Sequence, residues 1–237
     1  MNVKSVIENM KLCEKCKTNY VYLNKEYCLQ CLSEIEEEKK KKDKVEHPEK
    51  YMKLWNFPIR FLNWEKQHLL KHFQNLLDDI IQNWDKYVGL YLTGSAGSGK
   101  TCFVCVLAKE LIKQNKVNEI YFINTTEFFF EIKSTFDKET KIFNDYDLIK
   151  KYAEKEYLIL DDVGAEKITE YVRQSFYVLV NKRYLNNLFT IITSNYTIDD
   201  LSKVFDDRIA SRLSEMCKVV DLGNIDLRTQ KNKPLRP

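Results

Sequence analysis

Leu90-Tyr91-Leu92-Thr93-Gly94-Ser95-Ala96-Gly97-Ser98-Gly99-Lys100-Thr101 decides the fold of this chain. Gly94 to Thr101 fills every fixed position of G-x-x-x-x-G-K-[ST], the loop that cradles phosphates. Glycines at 94, 97 and 99 allow backbone angles that a Cβ would forbid, so successive N–H groups can turn inward around an anion. The residues expected to line the cradle are Gly94, Ser95, Ala96, Gly97, Ser98, Gly99, Lys100, Thr101 and Cys102. Lys100 brings a positive charge to the outer phosphates, and the Thr101 hydroxyl is a magnesium ligand. The flanks agree with this reading. Residues 88–93 are an apolar run of strand length, and 102–111 read as the helix whose positive end faces the phosphates.

Composition bounds what surrounds this loop. The chain has 237 residues, 44% apolar and 13% aromatic, enough for one domain with a packed core and a small appendage. Lys and Arg (38) exceed Asp and Glu (35) by only 3, so nucleic-acid contact would have to come from local patches rather than a global field. No apolar run reaches membrane-spanning length and residues 1–4 start no signal-peptide core, so no membrane partner and a cytoplasmic location are expected. Seven cysteines in such a chain argue for metal or buried thiols rather than disulfides.

Four of the seven form two C-x-x-C pairs, Cys13/Cys16 and Cys28/Cys31. Two such knuckles supply the four thiolates of a closed structural zinc site. Nothing so short builds a hydrophobic core, so Zn2+ would supply its folding free energy. The insert between the pairs carries Tyr20, Tyr22 and Tyr27 among lysines, which suits a protein or a nucleic-acid partner. Residues 33–44 follow as a charged helical spacer, with Glu36, Glu37 and Glu38 four residues before Lys40, Lys41 and Lys42. Pro48 marks a boundary. The expected organisation is a zinc-binding module over 1–34, a charged helical linker over 35–48 and a nucleotide-binding body over 49–237.

Within the body, 65–84 carries apolar residues at helical spacing, while Phe57, Ile59 and Phe61 suit either an adenine wall or core. Strands are expected at 120–123, 157–162, 189–195 and 217–222, separated by helices at 126–135, 136–155 and 170–186, with another opening near Phe205. Alternation of this kind implies a five-stranded parallel sheet between helical layers, with the ligand at the strands' carboxyl ends. The strand at 157–162 ends in Asp161 and Asp162. Asp161 would reach the magnesium, and Asp162 would orient or deprotonate an attacking water. The next strand ends in Asn195, expected beside the acidic pair. Cys102, Cys105 and Cys217 fall on apolar faces and are read as core.

The loop at 94–101, Asp161-Asp162-Val163-Gly164-Ala165-Glu166, Thr193-Ser194-Asn195 and Arg208-Ile209-Ala210-Ser211-Arg212-Leu213, in that order, resemble the AAA+ ATPases of the DnaC/DnaI type. These are loaders of the bacterial replicative helicase. The resemblance implies an α/β P-loop fold, ATP and Mg2+ as cofactors, and ATP hydrolysis that is slow unless subunits assemble. It makes Asn195 similar to a sensor residue and Arg212 similar to an arginine finger entering a neighbour's site, with Arg208 second. It also implies a hexameric helicase as protein partner through the zinc module, single-stranded DNA as ligand, with 136–155 as its contact, and self-association through the ATP site. Asp162 stands where many relatives have Glu. The chain stops soon after its last strand, so no C-terminal lid is expected, and Arg228 resembles a C-terminal arginine of this subfamily. An IstB-type transposition helper shares the same core, and a nucleotide-holding adaptor or inhibitor is the rival of a different kind.

Overall fold

Five apolar runs become one parallel sheet because both faces of each strand are buried. The computed structural model describes residues 10–22, 25–134, 145–224, 226 and 227. Strands β3 (Gly89–Thr93), β4 (Ile120–Asn124), β5 (Tyr157–Val163), β6 (Phe189–Ser194) and β7 (Cys217–Asp221) lie in the order β4-β5-β6-β3-β7. Every neighbouring pair is parallel. Side chains alternate between two cores. Leu90, Leu92, Ile159 and Ile191 enter one hydrophobic cluster, and Tyr91, Leu158, Leu160 and Ile192 enter the other.

The first cluster is closed by Met52 of α2 (Pro48–Leu54), by α3 (Lys71–Gln82) and by α4 (Lys100–Lys113), and the Phe73 and Phe103 rings of the last two meet edge-on at 6.0 Å. The second is closed by α5 (Thr125–Lys133), α6 (Asp145–Ala153), α7 (Glu170–Leu185), α8 (Ile198–Val204) and α9 (Asp207–Met216). The expected five-stranded sheet between helical layers is therefore observed. Among the described residues no helix follows β7, and none is long and apolar enough to cross a membrane.

Two helices expected from periodicity are broken. The 65–84 stretch divides into a 3-10 turn at Lys66–His68, an extended Leu69–Leu70 link, α3, and a second 3-10 turn at Trp84–Lys86. The first turn is fixed where the Glu65 N–H donates to His68 Nδ1 at 2.8 Å. The Glu65 carboxylate then receives the ammonium groups of Lys109 and Lys113 on α4. The helix expected from Phe205 begins later, because Asp206 caps α9 by accepting from the Arg208 N–H at 2.7 Å. The short α8 before it starts at Thr197, whose hydroxyl accepts from the Asp200 N–H. Of the expected helix over 136–155, α6 is described, and 135–144 lie outside the described residues, as does Arg228. Phe57 is core, packed on Phe122 at 5.3 Å, whereas Ile59 is exposed. Cys105 and Cys217 are buried and Cys102 half-buried, as read.

The chain forms two compact units, Met1–Pro48 and Glu49–Pro237. In the first, α1 (Leu29–Glu46) runs unbroken from the second cysteine pair, preceded by an antiparallel hairpin of β1 (Met10–Leu12) and β2 (Tyr20–Tyr22). Lys15 between the first two cysteines bridges Glu34 (3.1 Å) and Glu38 (3.3 Å) on α1.

At the amino end of the sheet a fully buried arginine joins three elements. Arg183 donates from Nε to Thr190 Oγ1 (2.8 Å), from one terminal nitrogen to the carbonyls of Tyr152, Ala153 and Lys155, and from the other to Phe189 O (2.6 Å). The cation thereby caps the carbonyl end of α6 and ties it to β6. Burial pushes its guanidinium down to about 9. Arg183→Met leaves these carbonyls without donors, and the expected loss is about 3 kcal/mol of folding stability, read from the urea midpoint. An unchanged midpoint would refute that role.

Candidate functional site

The phosphate loop folds as its glycines dictate, with Gly94, Gly97 and Gly99 all at positive φ. A Cβ on Gly94 would stand 2.8 Å from Ser98 Oγ, so the loop closes only without one. Lys100 opens α4, and its buried ammonium donates to Gly94 O (2.7 Å), Ser95 O (3.0 Å) and Asn195 Oδ1 (2.7 Å). Ser95 Oγ and Ser98 Oγ are buried and make no hydrogen bond. Buried hydroxyls without partners, glycine angles that aim amides inward and a lysine at the helix start together fit a bound polyphosphate. Ala96 lies in the turn and Cys102 in the first turn of α4.

The acidic strand end is shaped by a bulge. Leu160 pairs with Ile192 and Val163 with Ser194, so Asp161 and Asp162 together stand opposite the single residue Thr193. Asp162 takes up the extra residue at φ +59, a conformation uncommon outside glycine. Thr193 Oγ1 staples the bulge, accepting from the Asp162 N–H at 2.8 Å and donating to Asp161 Oδ1 at 2.7 Å. Asp161 meets the Thr101 hydroxyl at 3.0 Å, and Asp162 Oδ1 accepts from Asn195 Nδ2 at 3.4 Å. Thus Lys100, Thr101, Asp161, Asp162 and Asn195, read separately from the sequence, lie in one connected group.

Burial pushes Asp161 up to about 6, against hydrogen bonds from Thr193 and Thr101 that hold it down. A carboxylate in that position fits a cation: Thr101 and Asp161 are the residues that would hold magnesium, as hard oxygen donors. Thr193 enters the sequence reading only as part of Thr193-Ser194-Asn195 and has no role there, because a threonine in an apolar strand is ordinary. Its position behind Asp161 is that of a group orienting a metal ligand. Thr193→Val is expected to weaken magnesium-dependent nucleotide binding by about tenfold while metal-free binding stays near wild type, both by calorimetry. Equal losses with and without magnesium would count against this position.

Arg212 lies elsewhere. Its Nε donates to Asn181 Oδ1 (2.8 Å), one terminal nitrogen to Arg208 O (2.9 Å) and the other to Tyr177 Oη (3.3 Å). It also stacks near the Tyr177 and Tyr184 rings. These partners belong to α7 and α9, none to the Lys100–Asp161 group. The structure therefore does not bring Arg212 to the phosphate loop of its own chain.

In the first unit the Sγ atoms of Cys13, Cys16, Cys28 and Cys31 lie within 4.8 Å of one another. The Cys28 N–H approaches Cys13 Sγ at 3.3 Å, and Asn19 Nδ2 approaches Cys28 Sγ at 3.4 Å. The Thr18 hydroxyl, with the amides of Asn19 and Thr18, draws Cys16 down to about 5. Four gathered sulfurs supplied with N–H donors fit a closed tetrathiolate metal site. Cys28→Ser is expected to release the metal and unfold the hairpin, while the second unit keeps its melting transition. Metal analysis and amide exchange check it, and retained metal in the variant would refute the four-sulfur site.

Comparison with known proteins agrees with this geometry. The model of the family described as IstB-like ATP binding protein matches residues 36–234. The protein YqaM of Bacillus subtilis (strain 168) is 32% identical over 133 residues, 54% of this chain and 40% of its own length. The replicative helicase loader DnaI of the same organism is 30% identical over 139 residues, 57% of this chain and 43% of its own. The chain therefore spans less than half the length of these relatives. A crystal structure of the DnaC helicase loader superposes with a TM-score of 0.58 at 24% identity, covering 69% of this chain and 99% of that one, which speaks to fold alone. A P-loop between a buried strand and a helix, its nucleotide-site residues gathered at the strands' carboxyl ends, and a family match over most of the sequence give one conclusion: the chain belongs to the family of IstB-like ATP binding proteins.

Proposed function

We propose that this protein is an ATP-switched loader of a replicative DNA helicase, acting in the cytoplasm. The observation that carries the reading is the fusion of a four-cysteine cluster to this ATPase body on one chain. Likeness to the relative named as a replicative helicase loader supports it. The zinc module grips the hexameric helicase, for which the exposed Leu12, Tyr20 and Tyr22 of the hairpin offer apolar surface. The body engages single-stranded DNA through 136–155, part of which lies outside the described residues.

In the ATP site the loop amides and Lys100 bind the phosphates. Thr101 and Asp161 would hold magnesium, which would supply charge neutralisation at the outer phosphates. Asp162 accepts the proton of the attacking water, and Asn195 orients that water from between Lys100 and Asp162. Arg212 reaches the site of an adjoining copy, consistent with its distance in bonding from its own loop. Rotation of the Arg212 side chain away from Tyr177 and Asn181 would accompany assembly.

The IstB-type transposition helper is the second reading, favoured by the name of the matching family model. Mixing the protein with a hexameric helicase, with and without ATP, and sizing the mixture separates the two. A complex that requires intact cysteines supports the loader. No complex under any nucleotide condition, together with ATP-dependent binding to long duplex DNA without single-strand preference, supports the transposition helper. Arg212→Ala is expected to lower ATP turnover of the assembled complex by roughly a thousandfold with ATP affinity intact. Indifference of turnover to that change would favour a nucleotide-holding adaptor.

A further inference from the structure

Beyond β7 the chain continues alongside the phosphate loop. The Leu222 N–H donates to Thr93 O (2.9 Å), the Ser95 N–H to Gly223 O (3.1 Å) and the Leu227 N–H to Gly97 O (3.0 Å). The turn is made at Gly223, with φ +78 and its N–H held by Asp221 Oδ1 at 2.8 Å. Leu227 packs against the first hydrophobic cluster and anchors the far end. Residues 222–224 and 226–227 thus form a strap bonded to alternate residues of the loop's entering arm.

The strap brings a carboxylate to the loop. A Cβ placed on Gly97 would stand 2.1 Å from Asp226 Oδ1, and one on Gly99 would stand 3.2 Å from Leu227 Cδ1. Asp226 Oδ1 therefore rests against the Gly97 backbone, in the middle of a loop whose amides turn toward an anion. The same loop is the most anion-seeking part of the site, and a fixed negative charge on its rim opposes any polyphosphate that enters.

We propose that Asp226 sets the affinity and charge preference of the nucleotide site, its carboxylate opposing the incoming polyphosphate at Gly97. The proposal rests on the reading of Gly94–Thr101 as an ATP site. Metal-free ATP carries about four negative charges at neutral pH and its magnesium complex about two, so the rim charge discriminates in favour of the magnesium complex. The strap adds selection for the metal-loaded nucleotide that the loop amides alone do not provide.

Asp226→Asn removes the charge and keeps the shape. Titrating wild type and this variant with ATP, in EDTA and in magnesium, is expected to show metal-free ATP binding tighter by on the order of tenfold in the variant. For magnesium–ATP the expected gain is about twofold to threefold, and both gains shrink as salt screens the rim. If the wild type binds ATP but the variant binds it no more tightly, or gains equally with and without magnesium, the role of Asp226 is overturned and the ATP reading stands. If neither binds ATP with magnesium supplied, the ATP reading itself falls and takes this role with it.

Discussion

The hydroxyl of Thr193 holds the geometry on which the nucleotide site depends. In a regular strand Asp161 and Asp162 would face opposite sides of the sheet, one toward each helical layer. The bulge opposite Thr193 removes that alternation at the one point where it would be harmful. Asp161 then reaches Thr101 of the phosphate loop, and Asp162 reaches Asn195 at the end of the neighbouring strand. The cost is a positive φ at Asp162, roughly 1–3 kcal/mol for a residue with a Cβ. One hydroxyl offsets part of that cost by accepting the amide and donating to the carboxylate of the same bulge. Strain and its restraint sit in adjacent residues, so the acids are positioned before any ligand arrives.

Much of this was legible in the sequence, for a definite reason. Lys100, Thr101, Asp161 and Asn195 each occupy a strand or helix end, and ends are marked by abrupt changes from apolar to polar residues. The five strands are legible because parallel strands between helices bury both faces and read as continuous apolar runs. Interruptions inside an apolar pattern are harder to see. Residues 65–84 keep helical spacing through a 3-10 turn and an extended link, since all of these bury the same side chains. Asp206 and Thr197, by contrast, are ordinary helix caps, and the α8–α9 break was open to a closer reading of them. Thr193 and Arg183 carry no local signature, because their roles come from partners distant in the chain.

The two ends of the sheet divide the labour between stability and function. At the amino end, Arg183 is fully buried and spends its donors on carbonyls from α6, from the chain that follows it and from β6. A guanidinium so placed tolerates no rearrangement, and it locks helix to sheet. At the carboxyl end the same strands finish in polar side chains, glycines at positive φ and buried serine hydroxyls without partners. Groups left unsatisfied there are stable only because the layers beneath are fully packed.

The first unit follows a different logic. Its buried cluster consists of Cys13, Cys28 and Cys31 with Val21, joined at the edge by Cys16 and Tyr27. Sulfur atoms provide most of that core, and a single valine cannot offset the entropy of ordering the hairpin. Metal–thiolate bonds would supply the free energy that closes it, and its order would then depend on metal supply rather than on nucleotide. The second unit instead buries two large hydrophobic clusters, one on each face of the sheet. The two units therefore rest on different chemistry, one on four gathered sulfurs and the other on apolar packing around the phosphate loop.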